Sequence, residues 1–181
     1  GRHNVENALA AAAATHQMGL KWPAIKAGIE TFKGVKRRFD VHIKTEKLVY
    51  IDDYAHHPKE LVALLASVKE LYPNKRITTV FQPHLFSRTK DFGDEFGEAL
   101  SLTDELLLLD IYPAREKPIK GITSAWLLEK TNCKLGQVVS PETLLDTLKE
   151  LKPEVLITAG AGDIDKVIEP ILNTFSEAWN R

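Results

Sequence analysis

Four times after Pro58 an apolar helical stripe gives way to a short strand-like run, and this alternation constrains the fold more than any other feature of the chain. Leu61, Leu64, Leu65, Val68 and Leu71 recur at i, i+3, i+4, i+7, the spacing of one buried helix face. Ile77 to Phe81 follows as a β-branched and aromatic run suited to a buried strand. Helix Phe92–Leu102 then leads to strand Glu105–Leu109, and helix Ser124–Lys130 to strand Leu135–Val139. Helix Pro141–Leu151, capped by Ser140, leads to strand Val155–Thr158. A last stripe of Ile164, Val167, Ile168, Ile171, Leu172 and Phe175 predicts a helix kinked at Pro170. Such crossover units build a mostly parallel sheet covered on both faces.

Upstream, Val41 and Ile43 with Leu48 to Ile51 read as two strands joined by a tight turn at Thr45-Glu46-Lys47. Two helices are expected before them. One runs from Val5 to Met18 with Asn4 as its cap and Gly19 as its stop, and the other from Pro23 to Phe32. No constant-period repeat or low-complexity linker interrupts the chain, so residues 1–181 are expected to form a single domain.

The charge balance excludes some functions. Twenty-four basic and 25 acidic side chains leave a net charge of -1, without the global field that draws a protein to a polyanion, so no nucleic acid partner is expected. No apolar run approaches the ~20 residues of a membrane-spanning helix, and no membrane partner is expected either. The one cysteine, Cys133, offers neither an internal disulfide nor a metal cluster and fits a cytoplasmic location. The chain opens Gly1-Arg2-His3-Asn4 without methionine, which reads as part of a longer protein.

In a parallel sheet ligands sit beyond the carboxyl ends of the strands, so the segments after each strand carry the functional reading. Asp52-Asp53-Tyr54-Ala55-His56-His57-Pro58 gathers two carboxylates, a phenol and two imidazoles. Such groups bind hydroxyls, phosphate, carboxylate or metal near neutral pH; helix capping and solvation are the plainer alternative. Gln82-Pro83-His84-Leu85-Phe86-Ser87-Arg88-Thr89 adds an imidazole and a guanidinium able to grip a carboxylate or phosphate at two points. The alternative there is a capped helix start with an exposed arginine.

Asp110 to Glu116 reads as an ordinary loop. Gly160-Ala161-Gly162-Asp163 lacks the third glycine of a dinucleotide fingerprint and reads as a tight turn. No G-x-x-x-x-G-K-[ST] phosphate loop is present. Lys36-Arg37-Arg38 is a basic patch, a solvated corner or a phosphate contact. His3, Asn4 and Asn7 lie about one helical turn apart, where amides can read a base edge.

Taken together, Gly1-Arg2-His3-Asn4-Val5-Glu6-Asn7-Ala8, Gly34 to Phe39, Asp52 to Pro58, Phe81 to His84 with Ser87-Arg88-Thr89, and Tyr112-Pro113-Ala114 resemble the carboxyl-terminal third of the Mur ligases. The motifs occur in family order. The resemblance implies an α/β fold, a three-layer Rossmann-like domain with a six-stranded mixed, mostly parallel sheet. It also implies that an amino-terminal UDP-binding domain and a central ATPase domain lie outside this chain.

The Asp-Asp-Tyr-Ala-His-His-Pro form is similar to that of the branch adding L-alanine to UDP-N-acetylmuramate in peptidoglycan synthesis. The recycling branch that attaches a tripeptide to the same sugar nucleotide is the nearest rival, and a stand-alone α/β binding module is the alternative from another class. In the family's reaction ATP phosphorylates the sugar's carboxylate and the amino acid's amine displaces the phosphate. The cofactors implied are ATP and Mg2+, with metal ligands on the absent central domain and none here.

By the same resemblance His3, Asn4, Asn7, Arg38 and Asp53 are the ATP contacts: Asn4 and Asn7 for adenine with His3 beside them, Arg38 for phosphate and Asp53 for ribose. Tyr54, His56, His84 and Arg88 line the L-alanine pocket, with Arg88 on the carboxylate. Many relatives carry a second arginine directly after Gln-Pro-His, where this chain has Leu85. That departure leaves the grip to Arg88 and His84. No catalytic residue is assigned within the chain.

Overall fold

Six strands form one sheet in the computed structural model, which describes residues 2–178, with side chains from 4 to 176. They are β1 (Asp40–Lys44), β2 (Val49–Asp53), β3 (Ile77–Phe81), β4 (Glu105–Leu108), β5 (Leu135–Val138) and β6 (Val155–Ala159). Their spatial order is β1-β2-β6-β3-β4-β5. The hairpin strand β1 runs antiparallel to β2, and every other neighbouring pair is parallel. The mixed, mostly parallel sheet is therefore as expected.

The helices are α1 (Arg2–Gln17), α2 (Trp22–Thr31), α3 (Pro58–Leu71), α4 (Phe86–Asp91), α5 (Gly93–Leu100), α6 (Ser124–Leu128), α7 (Pro141–Leu151) and α8 (Ile168–Ala178). Where the sequence shows no internal boundary, the structure has one: residues 1–35 with α1 and α2 form one compact unit, and residues 36–181 form the other. Gly34 (φ 90) lies beside the boundary, but one glycine among Lys33, Lys36, Arg37 and Arg38 is not the Gly-, Pro- or Ser-rich stretch that marks a linker.

Strand pleating sends alternate side chains to opposite faces, and each face finds its own helices. Val49 and Ile51 of β2, Ile77 and Phe81 of β3, Leu106 and Leu108 of β4, and Val155 and Ile157 of β6 pack against Leu61, Leu65 and Val68 of α3 and Phe96 and Leu100 of α5. The intervening Tyr50, Val80, Leu107 and Leu156 meet Leu144 and Leu148 of α7 and Ile171 and Phe175 of α8. This is the three-layer arrangement, and it leaves loop chemistry only the two ends of the sheet.

Three local expectations differ. Arg2 is already helical, so Asn4 lies inside α1 and its amide does not cap the helix. The expected helix 92–102 is present as α5, but a further short helix, α4, precedes it, and the two are separated at Phe92 (φ -114, ψ 25); Ser87 and Arg88 therefore sit on a helix. A side chain at Gly93 would collide with the Trp126 ring, which holds the α4–α5 junction close to α6. Pro170 does not kink the last helix. A 3-10 helix over Asp163–Val167 comes first, and Pro170 falls in the first turn of α8, where its missing N–H costs nothing.

Phe96 is fully buried and its ring lies 5.7 Å from that of Phe81. Phe96→Ala is expected to lower the unfolding free energy by about 3–5 kcal/mol, measured by urea titration. Val62→Ala, on the exposed side of α3, is the control, and equal losses in the two variants would contradict the layer assignment.

Candidate functional site

The loops following β2, β3, β4 and β6 meet beyond the carboxyl ends of the strands, and hydrogen bonds fix each of them. Near the end of β2, Asp52 is fully buried. Its Oδ1 accepts from Thr158 Oγ1 at 2.7 Å and its Oδ2 from Arg37 Nε at 3.0 Å. Asp53 accepts from the Phe39 amide (2.7 Å) and the Ala55 amide (2.8 Å), one on each oxygen. Burial raises the Asp53 carboxyl above the ordinary carboxylate range, against those two hydrogen bonds and with help from Asp52 and Glu60. Neither aspartate caps α3. Glu60 does, accepting from the amides of His56 (2.9 Å) and His57 (3.1 Å).

The four residues assigned to the amino-acid pocket converge. The Tyr54 and His56 rings lie edge to face at 5.2 Å, and those of His56 and His84 at 6.1 Å. His56 Nδ1 is 2.8 Å from the Tyr54 carbonyl, so the tautomer that donates there leaves Nε2 as an acceptor. Burial lowers the His84 imidazole below its ordinary 6.5, with Arg88 and His56 adding in the same direction and Glu116 opposing. His84 is therefore neutral at neutral pH. His84 Nδ1 and one terminal nitrogen of Arg88 are buried without a hydrogen-bond partner. Buried polar groups are almost always satisfied; His42 Nε2 on β1 is likewise unpartnered, but His84 and Arg88 lie close enough for the guanidinium to act on the ring.

Several contributors were not singled out from the sequence. Tyr112 stacks on His84 at 5.6 Å with 16° between the rings, and its carbonyl accepts from the Leu85 amide at 2.9 Å. Leu85, at the departure from the family pattern, has φ 71 and ψ 132 immediately before α4. Glu116 accepts from the Ser87 amide (2.9 Å) and hydroxyl (2.5 Å), anchoring the start of α4; the Ser87 hydroxyl bond is the main reason its carboxyl titrates low.

Gln82 donates to Asp163 Oδ1 (2.8 Å) and accepts from the Ile164 amide (2.9 Å), tying the glycine loop to the end of β3. A Cβ at Gly162 would overlap the Gln82 amide and the Tyr112 side chain. This close approach explains the glycine, and no dinucleotide role is needed. The only sequence signal for Tyr112 and Gln82 was their place within motifs, since both act through neighbours remote in the chain.

Arg38 is exposed, while Arg37 beside it turns inward. Asn4 and Asn7 are exposed on α1, within the other compact unit. The His3 side chain lies outside the described residues. Among the described residues no group of three His, Cys, Asp or Glu is arranged to hold a metal ion, and no helix is long and apolar enough to cross a membrane.

The family profile described as "Mur ligase, glutamate ligase domain" matches residues 37–163, a span that takes in β1 to β6 and the pocket. The chain belongs to the Mur ligase family. Among curated relatives it is 58% identical over 94% of its length to a UDP-N-acetylmuramate–L-alanine ligase of Cytophaga hutchinsonii, of which it covers 37%. It is 50% identical over 98% of its length to the enzyme of that name from Flavobacterium psychrophilum, covering 40%.

Among solved structures, a UDP-N-acetylmuramate-alanine ligase of Thermotoga maritima aligns with 98% of the chain and 39% of its own length, at TM-score 0.77 and 28% identity. A murein peptide ligase of Psychrobacter arcticus shares the fold at TM-score 0.66 and 22% identity, over 96% of the chain and 37% of its own. This Mur ligase chain thus spans about two fifths of the relatives it matches, and the family match begins beside the boundary between the two compact units.

The electrostatics of the Mur ligase pocket give a titration. His84, lowered in the folded state, binds fewer protons than the unfolded chain between its folded pKa and 6.5. Its contribution to stability is full above 6.5 and falls as pH drops through the folded value. An NMR titration of the His84 ring is expected to give a midpoint below 6.5, and Arg88→Gln to move it up. An unmoved midpoint would show that the guanidinium does not act on the ring.

Proposed function

We propose that this chain is the carboxyl-terminal part of an ATP-dependent ligase that joins L-alanine to UDP-N-acetylmuramate in peptidoglycan synthesis, working in the cytoplasm. Residues 36–181 serve as its amino-acid-binding domain. The observation that carries the reading is the pair of buried, unpartnered groups on Arg88 and His84 within the pocket walled by Tyr54, His56 and Tyr112. The two relatives named for this activity are 58% and 50% identical over nearly the whole chain and support it.

An amino acid brings a carboxylate, an amine and, for alanine, one methyl. A guanidinium satisfies a carboxylate by two parallel charge-assisted hydrogen bonds, and the free Arg88 nitrogen is available for one of them. The neutral His84 ring adds no positive charge to repel the amine and can accept from it. With the carboxylate fixed, the amine is held toward its electrophile, and much of the rate gain comes from that orientation. Leu85, where many relatives carry arginine, adds no second cation, so Arg88 bears the carboxylate charge alone.

Asp53 and Arg38 suit ATP at the rim of the second unit. Asp53 has both oxygens oriented by backbone N–H groups and keeps lone pairs for ribose hydroxyls. Arg38 stands exposed for a phosphate, and Asn4 and Asn7, with His3, are assigned to adenine. ATP would supply the phosphoryl group that activates the sugar's carboxylate. Magnesium finds no cluster of ligands among the described residues, so its ligands are assigned to the rest of the ligase.

In the ligase carrying this chain, Arg88→Ala is expected to raise the KM for L-alanine on the order of a hundredfold, the loss of a charge-assisted hydrogen bond or two, and to leave the KM for ATP within about twofold. Steady-state phosphate release with UDP-N-acetylmuramate checks it, and equal rises in both constants would reject the carboxylate assignment. A preference for a tripeptide over L-alanine in the unaltered ligase would favour the recycling activity. The 181-residue chain alone, mixed with all three substrates, is expected to release no phosphate.

A further inference from the structure

Two adjacent arginines leave the 36–39 loop differently: Arg38 is exposed, while Arg37 turns inward onto Asp52, Gly160 and Tyr54. Arg37 has φ 57 and Phe39 φ 50, left-handed conformations that cost energy in non-glycine residues and persist where surrounding contacts fix them. Those contacts are present. The Arg37 amide donates to Asp40 Oδ2 at 3.2 Å, and its carbonyl accepts from the Tyr54 amide at 2.6 Å. The Phe39 amide is held by Asp53 at 2.7 Å.

The guanidinium does more. Its Nε donates to Asp52 Oδ2 at 3.0 Å, a terminal nitrogen donates to the Gly160 carbonyl at 2.7 Å, and its central carbon lies 5.3 Å from the centre of the Tyr54 ring. Asp52 passes the connection inward through Thr158 Oγ1, which lies 3.1 Å from the Tyr50 hydroxyl. One side chain thus bridges the 36–39 loop, the loop after β2 and the glycine loop after β6. An ammonium cannot reproduce this, because the two hydrogen bonds leave different edges of a planar fork whose face also meets the aromatic ring.

We propose that Arg37 is a positioning residue for the ligase reaction: it holds Tyr54, on the amino-acid side, and the exposed Arg38, on the nucleotide side, in one rigid frame. Disturbing it moves both substrate sites together. The inference rests on the function proposed above, and it differs from the Arg88 assignment in its signature, since Arg88 acts on the amino acid alone.

Two variants test it in the ligase. Arg37→Lys keeps the charge and loses the fork. Arg37→Gln combined with Asp52→Asn removes the buried pair together, so no uncompensated charge is left inside. Both are expected to raise the KM for L-alanine and the KM for ATP together, on the order of tenfold, the scale of a small misplacement of binding groups. A purely structural role would lower the yield of active enzyme and the melting temperature with both KM values unchanged, and that result overturns the proposal, as does movement of one KM alone.

In the 181-residue chain, Arg37→Lys is further expected to speed hydrogen exchange at the Tyr54 amide on the order of tenfold, with the amides of β3 unaffected. Unchanged exchange at Tyr54 likewise overturns the proposal. If the unaltered ligase does not use L-alanine, the proposed function fails while the exchange experiment still decides whether Arg37 holds Tyr54.

Discussion

Burial of the central strands β2, β6, β3 and β4 on both faces is the constraint on which the rest of the structure depends. Tyr50, Ile51, Val80, Phe81, Leu106, Leu108, Leu156 and Ile157 are all nearly or wholly removed from solvent, so no polar chemistry can sit on the flats of the sheet without a partner. Functional groups gather at the carboxyl ends, where strand carbonyls and loop amides supply partners. The fully buried Asp52 shows the limiting case. It lies on β2 itself and is tolerated because Arg37 and Thr158 neutralise and bond both of its oxygens.

Around that anchor the loops are tied to one another as well as to the sheet. Gln82 fastens the glycine loop to β3, Tyr112 fastens the loop after β4 to the start of α4, and Glu116 caps the same helix. Loops tied in this way are fixed relative to one another. His84 and Arg88 each keep a buried nitrogen without a partner, which is a cost to the folded protein. The raised carboxyl of Asp53 and the lowered imidazole of His84 share one cause, since burial disfavours the charged form of each.

Much of the fold was legible because its signals are local. The ends of β3 and α7 match the expectation residue for residue, the latter through Ser140 followed by Pro141. The departures share a tertiary origin. The junction between α4 and α5 at Phe92 sits where Trp126 comes close to Gly93, a contact with no trace in local periodicity. The boundary after Val35 likewise depends on which surfaces meet. In the site, Tyr54, His56, His84 and Arg88 were readable as chemistry at strand ends and by family resemblance. Arg37, Gln82 and Tyr112 were not, because their partners are distant: Arg37 and Gly160 are separated by 123 positions.

The amino-acid sequence by itself determined the alternation of helix and strand, the mostly parallel sheet and the family. Each of these follows from side-chain periodicity, turn residues or motif order, which are properties of neighbours along the chain. Tertiary structure alone decided which arginine of the pair faces inward, which aspartate is locked and which keeps open lone pairs, and which nitrogens of His84 and Arg88 stay unpaired. Those outcomes turn on angstrom-scale hydrogen-bond geometry and on exclusion of water between segments far apart in sequence, and no local pattern encodes either.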